Sequence, residues 1–393
     1  DSFGCFTISS AQNVTLNGNG HRIFANASSN YGVYVDNSVN VTIKNLTIVN
    51  FTHGVYFNRV NDSWINFTTV ANSSSFSSFA IYTDLSYGNN LIGNKILNLQ
   101  AFGIFLSDSQ NTTLRNNYVF NVSDGLILYN SQKSLIFNTT FYRTTNAIQF
   151  DQGSVDNVIE KGSVNSTFNS AIYFASLNSD RNTLINISIA NTGIDDLIVG
   201  ANDIEGLKLI NMTLARYSLH PQGALFSVEN GFGEIKFLQY ANGSGTNFAN
   251  DVQIGNNSVT VLSSSNSGLN RSANVTLYNI GNRGFTLPVI LRNGQPCGNL
   301  CHNFTSLTAT NVVFNVTSWT NYSIGEGGFL TTCGQLSVPN GVYKLQNDIT
   351  NFAGGNCFNV TEDNIVLDGQ GHTIAGDDIG LAYGVYDFGR TNI

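Results

Sequence analysis

The sequence predicts an all-β protein: a right-handed parallel β-helix (solenoid) with an inserted small antiparallel β-sandwich domain. Three observations lead to this prediction. A short strand pattern recurs about every 24 residues, a second pattern is interleaved with it, and no helical segment separates the two. Strands of period two without intervening helices argue against a βαβ fold. A period of 20 to 25 residues with turn residues at fixed offsets is typical of a β-solenoid coil.

The first pattern has the form small–aliphatic–X–aliphatic, as in YGVYV from Tyr31, HGVYF from His53 and FGIFL from Phe102. Its small residues recur 22 to 26 residues apart, at Gly32, Gly54, Ala80, Gly103, Gly125, Ala147 and Ala171. Side chains alternate across a strand, so the aliphatic positions are expected inside the coil. These positions are Val33, Val35, Val55, Phe57, Ile104, Leu106, Ile148, Phe150, Ile172 and Phe174.

The second pattern reads NVTIKNLTI from Asn40, NTTLRNNYV from Asn111 and NTLINISIA from Asn182. Each period is therefore predicted to contain two short strands separated by Asn-rich turns. Asn and Gly suit such turns because both accept left-handed backbone angles at little cost.

The composition excludes several partners. Charged residues make up 11% of the chain, the net charge is −8, and Lys and Arg never cluster. Nucleic acid would need a basic face, so no nucleic-acid partner is expected. No run of 18 apolar residues is present, so no membrane span is expected in this segment.

The sequence also contains a much longer repeat, each copy of which includes many coil repeats. CFTISSAQNVTLNGNGHRI from Cys5 returns as CFNVTEDNIVLDGQGHTI from Cys357, and YGVY at Tyr31 returns at Tyr383, an offset of 352. We expect the chain to be a window from a longer tandem array, with further copies of the same repeat unit as partners. The region between the two copies has looser, alternating strands, typical of a small antiparallel sandwich. The predicted domains are a parallel β-helix at 1–238, an Ig-like β-sandwich and linker at 239–328, and the start of the next β-helix repeat unit at 329–393.

Five cysteines predict two disulfides per repeat unit. Cys5 corresponds to Cys357, so one unit holds Cys297, Cys301, Cys333 and Cys357. Cys297 and Cys301 are close in sequence, Cys333 and Cys357 flank the first coil of the second solenoid, and Cys5 is expected to pair with a cysteine upstream of the visible chain. A zinc site is the alternative, but Cys297 and Cys301 lack a second ligand pair. We therefore expect no metal, no cofactor, and an extracellular or cell-surface location, where disulfides persist.

The chain contains 22 Asn-X-Ser/Thr triplets. Many of these asparagines are expected in solenoid turns, where they would stack as hydrogen-bonded ladders. Some of those that face outward are expected to carry covalent N-glycans. The candidates are Asn13, Asn26, Asn40, Asn45, Asn111, Asn138, Asn186, Asn211, Asn274 and Asn315.

An aromatic strip is predicted on the outer face of the first strand pattern. The residue between the two aliphatic positions points outward, and the interface candidates at this position are Tyr34, Tyr56, Tyr82, Phe105 and Tyr173. A contiguous exposed strip usually marks a contact surface. It could pack against a neighbouring subunit, be covered by a loop of its own chain, or stack on sugar rings.

LNGNGHRI, LDGQGHTI and the recurring GVYV and NVTIKN strings resemble the parallel β-helix repeats of the pectate-lyase-like superfamily, with the NosD-like and surface-protein branches nearest. The resemblance covers about 1–238 and 329–393. It implies the right-handed β-helix fold but no particular activity, because this fold carries many functions.

Two enzymatic branches of that superfamily require recognisable sets of catalytic residues. Hydrolases need clustered carboxylates, a His and a basic pair. Asp195 and Asp196 form the only adjacent acidic pair in the main solenoid, and no Arg-x-Lys motif accompanies them. Lyases need acids converging on calcium and an Arg base. Asp84, Asp108 and Asp151 occupy comparable places after their strands and could stack from coil to coil. Asn58 and Asn130 interrupt that row, and no Arg is suitably placed.

The leading hypothesis is a non-enzymatic extracellular structural protein, a tandem-repeat β-helix segment of a cell-surface filament, sheath or adhesive stalk. The alternatives are a carbohydrate-active β-helix enzyme (a polysaccharide lyase, hydrolase or epimerase) and a sugar-binding adhesin module.

Overall fold

The computed structural model describes residues 4–25, 30–73, 75–285, 288–339, 341–352, 355–377, 381–387 and 389–393. The chain divides into two compact units: Asp1–Gln253 with Val261–Ala273, and Ile254–Thr260 with Asn274–Ile393. Among the described residues no helix is long and apolar enough to cross a membrane. The all-β parallel solenoid predicted from the sequence is confirmed as the fold class.

Short strands build the first unit. The early strands are β1 (Gly4–Ser9), β2 (Thr15–Asn17), β3 (Arg22–Phe24), β4 (Tyr31–Val39), β5 (Thr42–Lys44), β6 (Thr47–Val49), β7 (His53–Asn61), β8 (Trp64–Asn66), β9 (Thr69–Ala71), β10 (Phe79–Asp84), β11 (Asn90–Ile92), β12 (Lys95–Leu97) and β13 (Phe102–Ser107). The later strands are β14 (Thr113–Arg115), β15 (Tyr118–Tyr129), β16 (Leu135–Phe137), β17 (Thr140–Asp151), β18 (Val158–Glu160), β19 (Ser163–Asn165), β20 (Ser170–Phe174), β21 (Thr183–Ile185), β22 (Ser188–Ala190), β23 (Asp195–Val199), β24 (Ile204–Ile210), β25 (Tyr217–Asn230), β26 (Gly233–Phe237) and β27 (Ala241–Gly245).

The chain continues through a short helix and further strands. These are α1 (Phe248–Asp251), β28 (Val252–Gly255), β29 (Ser258–Val261), β30 (Ala273–Leu277), β31 (Pro288–Arg292), β32 (Gln295–Pro296), β33 (Cys301–Asn303), β34 (Val312–Val316), β35 (Asn321–Glu326), β36 (Phe329–Leu330), β37 (Gly334–Leu336), β38 (Val342–Leu345), β39 (Ile349–Phe352), β40 (Phe358–Val360), β41 (Val366–Asp368), β42 (Ile374–Gly376) and β43 (Val385–Asp387). Three 3₁₀ turns lie at Ser267–Leu269, Gly281–Arg283 and Gly298–Leu300.

Three parallel sheets run along the solenoid of the first unit. The first sheet contains β1, β4, β7, β10, β13, β15, β17, β20, β23 and β25. The second contains β2, β5, β8, β11, β14, β16, β18, β21 and β24. The third contains β3, β6, β9, β12, β15, β17, β19 and β22, so β15 and β17 each pass from the third sheet into the first.

A coil therefore holds three strands, and the expectation of two was wrong. The string NVTIKNLTI is not one strand but β5 and β6, separated by a corner at Asn45. Asn45 adopts a φ of 52°, and Asn40 and Asn50 adopt φ values of 54° and 63° at the other two corners of the same coil. Asn tolerates this left-handed region better than most residues, which is why the sequence is rich in Asn at these positions.

The aliphatic positions expected inside the coil are all buried. Val33, Val55, Ile104 and Ile148 are 0% exposed, and they lie on strands joined in register along the first sheet. Each side chain thus packs on its counterpart one coil away. This apolar stack is the core of the solenoid.

Buried amides satisfy the backbone where the coils turn from the second sheet to the third. Asn94 donates to the carbonyl of Ile65 at 2.7 Å and accepts the backbone N–H of Thr68 at 3.0 Å. Asn117, one coil later, donates to the carbonyl of Leu91 at 2.8 Å and accepts the backbone N–H of Asn94 at 2.9 Å. The corners would otherwise leave buried polar groups unpaired, which is costly.

In the first unit, antiparallel strands pair with the last strand of the parallel solenoid. β25 pairs antiparallel with both β26 and β27. Because the last coil is covered in this way, its backbone groups are not left as an open edge.

Antiparallel pairing also dominates the region predicted as a sandwich. In the second unit, β35 lies between β29 and β31, which in turn pairs with β32. β33 and β34 form a further antiparallel pair. A small antiparallel sheet is therefore present there, and the two-sheet sandwich stays a prediction.

Parallel pairing returns after Phe329. β36, β38 and β41 form one sheet, β37, β40 and β43 a second, and β39 and β42 a third, around a core that includes Leu336, Phe358 and Val360. Phe358 pairs with Val385, 27 residues later, just as Phe6 pairs with Val33. The long sequence repeat is thus a repeat of strand register.

The cysteines form two disulfides, Cys297–Cys301 and Cys333–Cys357, and the second one closes a single coil of the restarted solenoid. Cys5 is exposed and has no disulfide partner among the described residues. Disulfides persist in oxidising compartments, so the location is non-cytosolic.

Removal of one buried amide should destabilise the solenoid measurably. We expect Asn117→Ala to lower the free energy of unfolding by about 3 kcal/mol, because the Leu91 carbonyl and the Asn94 N–H lose their buried partner. The measurement is the midpoint of chemical denaturation. Asn90→Ala is the matched control, since Asn90 lies on the outer face one coil earlier and its change should cost much less. Equal midpoints for the two variants would contradict the role of the interior ladder.

Loss of the coil-closing disulfide should loosen the restarted solenoid locally. We expect Cys333→Ser/Cys357→Ser to reduce stability by about 3 kcal/mol, since the bond closes a loop of 24 residues. Limited proteolysis should then cleave within 333–357 faster than in the unmodified chain. Cys297→Ser/Cys301→Ser, which opens a much shorter loop, should leave cleavage in that coil unchanged.

Candidate contact surface on the first sheet

Parallel register brings four of the predicted interface residues into one row. Tyr34 pairs with Tyr56, Tyr56 with Tyr82, and Tyr82 with Phe105. Neighbouring strands lie about 4.8 Å apart, so rings in one row come into contact. The Tyr56 and Tyr82 ring centroids are 4.5 Å apart with their planes at 3°. The Tyr34–Tyr56 and Tyr82–Phe105 contacts are edge to face, with planes at 62° and 86°. The predicted strip is therefore a row of rings in contact on the outer face of the first sheet.

The fifth predicted residue, Tyr173, occupies the same row but lies apart from the other four rings. Ile127 and Gln149 fill the two intervening positions. The Tyr173 ring instead covers Gly200, where an added Cβ would come within 2.7 Å of it. The structure thus brings four of the five candidates together.

A second row of rings lies beside the first and was missed in the sequence. Tyr31, His53, Phe79 and Phe102 are in register at the start of the same strands. The His53 ring centroid lies 4.9 Å from that of Tyr31 and 5.3 Å from that of Phe79. We call the two rows the aromatic panel, which consists of Tyr31, Tyr34, His53, Tyr56, Phe79, Tyr82, Phe102 and Phe105.

Both rows face outward because alternation breaks at the small residue. Gly32 and Val33 are both buried, whereas Tyr31 and Tyr34 are both partly exposed. A Cβ added to Gly32 would meet the Ile48 side chain at 2.5 Å, so only a small residue fits there. The signal available in the sequence was the aromatic residue immediately before each small residue.

Polar side chains border the panel where the strands end. The Asn58 amide donates to Asp36 at 2.7 Å, and the Tyr56 hydroxyl lies 3.5 Å from a carboxylate oxygen of Asp84. Burial and the charge of Asp84 raise the pKa of Tyr56 and of Tyr82. The hydroxyls of Tyr56 and Tyr82 therefore remain protonated at neutral pH and act as hydrogen-bond donors.

His53 behaves as a flat neutral ring in this surface. Burial lowers its pKa to about 4. Its Nδ1 is buried and has no hydrogen-bond partner among the described residues. The imidazole is therefore held by stacking between Tyr31 and Phe79 rather than by polar contacts.

The three acids considered for calcium do not form one row. Asp84 shares its row with Ser107, Tyr129 and Asp151, so two uncharged residues separate the two carboxylates. Asp108 lies one position further along the chain, where it accepts a hydrogen bond from Asn130 at 2.5 Å. The expected stacking was wrong because the strand β13 ends at Ser107, one residue before the acid.

The adjacent acids Asp195 and Asp196 are part of the coil. Asp196 is 5% exposed and accepts the Thr192 hydroxyl and the Ala215 N–H, both at 2.6 Å. Burial raises the pKa of Asp195, and the nearby charge of Arg216 acts in the opposite direction. Their contacts are those of a structural corner.

The glycosylation candidates lie mainly at corners. Asn13, Asn40, Asn45, Asn138, Asn186 and Asn211 are exposed and have left-handed backbone angles. Asn111, Asn274 and Asn315 are partly buried, and Asn26 lies outside the described residues. Asn40 donates to Asn13 at 2.5 Å and Asn138 to Asn116 at 2.8 Å, so outer ladders form as well as inner ones. No sequon asparagine is a member of the aromatic panel.

Residues 6–179 match the family model described as "Periplasmic copper-binding protein (NosD)". This segment is similar to the NosD family, and it folds as a parallel β-helix. The match agrees with the resemblance seen in the repeat strings, and it ends within the first unit. No curated protein matches the chain.

Several solved structures match parts of this chain at low identity. The catalytic domain of a GH87 α-1,3-glucanase in complex with nigerose is 12% identical over 50% of this chain, with a TM-score of 0.32. The periplasmic alginate epimerase AlgG is 14% identical over 56%, with a TM-score of 0.33. A mutant tailspike protein of E. coli bacteriophage HK620 is 8% identical over 82% of this chain and 69% of its own, with a TM-score of 0.39. This chain spans 47% and 62% of the first two proteins. TM-scores this low carry no functional inference.

The copper in the family description does not fit the residues of the NosD-like segment. Copper favours imidazole, thiolate and thioether ligands. Residues 6–179 contain His21 and His53 but no Cys and no Met. His21 is exposed at a corner, and His53 is stacked within the panel. Within the described part of the chain, no group of three or more His, Cys, Asp or Glu could hold a metal ion.

The buried imidazole should make stability depend on pH. The pKa of His53 is about 4 in the folded chain against 6.5 for the free side chain, so the unfolded state binds the extra proton between these values. We expect the His53 contribution to stability to fall as pH decreases from about 6.5 to about 4. His53→Phe introduces the residue type found one coil later at Phe79, and it removes the titrating group. The slope of stability against pH in this window should therefore be smaller in this variant. The measurement is denaturation at several pH values, together with the NMR titration of the imidazole. A midpoint near 6.5 would contradict the assignment.

Proposed function

We propose that the chain is a segment of a non-enzymatic extracellular structural protein, a tandem β-helix array that forms a cell-surface filament, sheath or adhesive stalk. In this proposal the aromatic panel contacts further copies of the repeat unit, and N-glycans cover exposed corners elsewhere. The observation that carries the proposal is the recurrence of the first ring pair of the panel, Tyr31 and Tyr34, as Tyr383 and Tyr386 in the second solenoid.

The recurring part of the panel has nearly the same geometry in both places. Tyr31 and Tyr34 have ring centroids 5.2 Å apart with planes at 39°, and Tyr383 and Tyr386 have centroids 5.4 Å apart with planes at 33°. The two pairs are 352 residues apart. An array would thus present panels at a fixed sequence interval. Another copy of the array is a partner whose panels have the same spacing. Many weak contacts between two such arrays would then combine into strong binding through avidity.

The panel combines apolar ring surface with hydroxyl groups. Phe79 and Phe102 stack with their planes at 17°, whereas Tyr34 meets Tyr56, and Tyr82 meets Phe105, edge to face. A surface of ring faces, ring edges and hydroxyls suits packing against the side chains of another protein surface.

A carbohydrate-active enzyme is the alternative. Its most plausible acidic pair includes Asp196, whose carboxylate already accepts two hydrogen bonds from Thr192 and Ala215. General acid or base catalysis needs a carboxyl group that can reach substrate. The structural proposal is therefore preferred.

Changing the panel should abolish self-association. We expect the wild-type chain to associate with increasing concentration in analytical ultracentrifugation and to form periodic contacts in electron micrographs. The variant Tyr34→Ala/Tyr56→Ala/Tyr82→Ala should remain monomeric at concentrations at least tenfold higher than those at which the wild type associates. Its circular dichroism spectrum should be unchanged. Tyr118→Ala/Phe120→Ala/Tyr142→Ala is the matched control, because these rings also stack on an outer face, that of the third sheet.

Two outcomes would overturn the proposal. Association of the panel variant at wild-type concentrations would remove the panel from the contact. Turnover of a polysaccharide, with or without calcium, that is lost in Asp195→Asn would establish the enzymatic alternative instead.

A further inference from the structure

Asn-Gly pairs are the places in this chain where an asparagine side chain can react with its own backbone. In that reaction the glycine nitrogen attacks the side-chain carbonyl carbon of the asparagine, and the absence of a Cβ on glycine leaves the approach open. The side chain must lie over the following peptide nitrogen, and that nitrogen must be accessible. The asparagines of these pairs are Asn17, Asn19, Asn230, Asn242, Asn293 and Asn340, of which Asn340 lies outside the described residues.

The turn between β25 and β26 holds one such side chain against its own backbone. The side-chain oxygen of Asn230 accepts the backbone N–H of Phe232 at 2.8 Å. Because this bond spans two residues, the carboxamide folds back over the turn, and its carbonyl carbon lies beside the nitrogen of Gly231. The Phe232 N–H would also stabilise the negative oxygen that develops when the nitrogen attacks.

The attacking nitrogen of this turn is accessible. Gly231 is exposed, and its N–H makes no hydrogen bond within the part of the chain that the structure describes. A Cβ added to Gly231 would meet no atom within 4 Å. Water, which completes the reaction, reaches the turn through the same open space.

The two pairs near the start of the chain have bonded glycine nitrogens. Asn17 forms the same kind of turn, since its side chain accepts the N–H of Asn19 at 3.1 Å. The Gly18 N–H, however, donates to the Lys44 carbonyl at 2.8 Å. The Gly20 N–H is likewise bonded to a carbonyl of the next coil, at 2.7 Å. Attack from either glycine nitrogen would first break a backbone bond between coils.

The other two described pairs have side chains that are held elsewhere. The Asn242 amide donates to the carbonyl of Pro221. The Asn293 side chain accepts the hydroxyl of Thr320. Each bond crosses to another segment of the chain and so holds the carbonyl carbon away from its own glycine nitrogen.

We propose that Asn230 is a site of spontaneous deamidation in the folded protein. The Gly231 nitrogen forms a bond to the side-chain carbon of Asn230, the bond from that carbon to the amide nitrogen breaks, and ammonia leaves with the proton of the glycine nitrogen. Water then opens the cyclic imide at one of its two carbonyl carbons. The product carries a carboxylate at position 230, either as aspartate or as isoaspartate, whose backbone is one carbon longer.

The modification would alter the strands that cover the last coil of the first solenoid. Glu229 on β25 pairs with Glu234 on β26 directly beside the turn. A third carboxylate at position 230 adds like-charge repulsion across this pair of strands, and isoaspartate also lengthens the turn. Deamidation therefore loosens, slowly and irreversibly, a hairpin that covers the edge of the parallel sheets.

The test follows deamidation of the full chain, produced without glycans, by peptide mass spectrometry during incubation at mildly alkaline pH. Trypsin leaves Asn230 as the single asparagine of peptide 217–236, while the other described pairs fall in peptides 1–22, 237–271 and 293–344. We expect position 230 to convert at least tenfold faster than positions 17, 19, 242 and 293. In the chain unfolded by urea these positions should convert at similar rates, because the fold causes the difference.

Two pairs of variants test the mechanism and its consequence. Gly231→Ala should slow conversion of position 230 at least tenfold, because the added methyl group hinders the attacking nitrogen. Gly334→Ala is the matched control, since Gly334 also faces open space, and it should convert position 230 at the wild-type rate. Hydrogen exchange of the β26 amides should be faster in Asn230→Asp than in Asn230→Ser, which loses the amide without gaining a charge.

These measurements need no self-association, so their outcome is separate from that of the structural proposal. Equal conversion of positions 230 and 17 in the folded chain would overturn the inference, as would a wild-type rate in Gly231→Ala. Equal hydrogen exchange in the two Asn230 variants would overturn the consequence for the hairpin.

Discussion

Hydrogen-bonded register between successive coils is the constraint on which every other feature of this protein depends. Side chains alternate along a strand, so a slip of one residue would turn Val33 outward and Tyr34 into the core. Backbone pairing alone does not exclude such a slip at three-residue strands such as β5 and β6. Interior amides such as Asn94 and Asn117 make it costly, because their bonds to specific carbonyls one coil away would be lost.

The sequence predicts the period and the core well because both depend on local alternation. The inward residues from Val33 to Phe174 are buried as expected. It predicts the number of strands per coil poorly, since the break at Asn45 depends on a backbone angle that neighbouring apolar residues do not reveal. Asp108 was misplaced for a related reason, because the end of β13 differs by one residue from the ends of neighbouring strands.

The outer surfaces were predicted only in part. The row from Tyr34 to Phe105 follows directly from alternation, but the row that begins at Tyr31 requires the local break at Gly32.

The disulfide Cys333–Cys357 has a consequence for mechanical load. In a parallel solenoid the backbone hydrogen bonds run between coils, along the axis, so tension along the axis separates coils one after another. The bond joins the two ends of a 24-residue coil near the start of the second solenoid. Pulling on the chain before Cys333 therefore transmits force through a covalent bond to Cys357, and that coil cannot peel away. Under tension, unravelling would have to begin elsewhere, which protects the joint where one solenoid follows another.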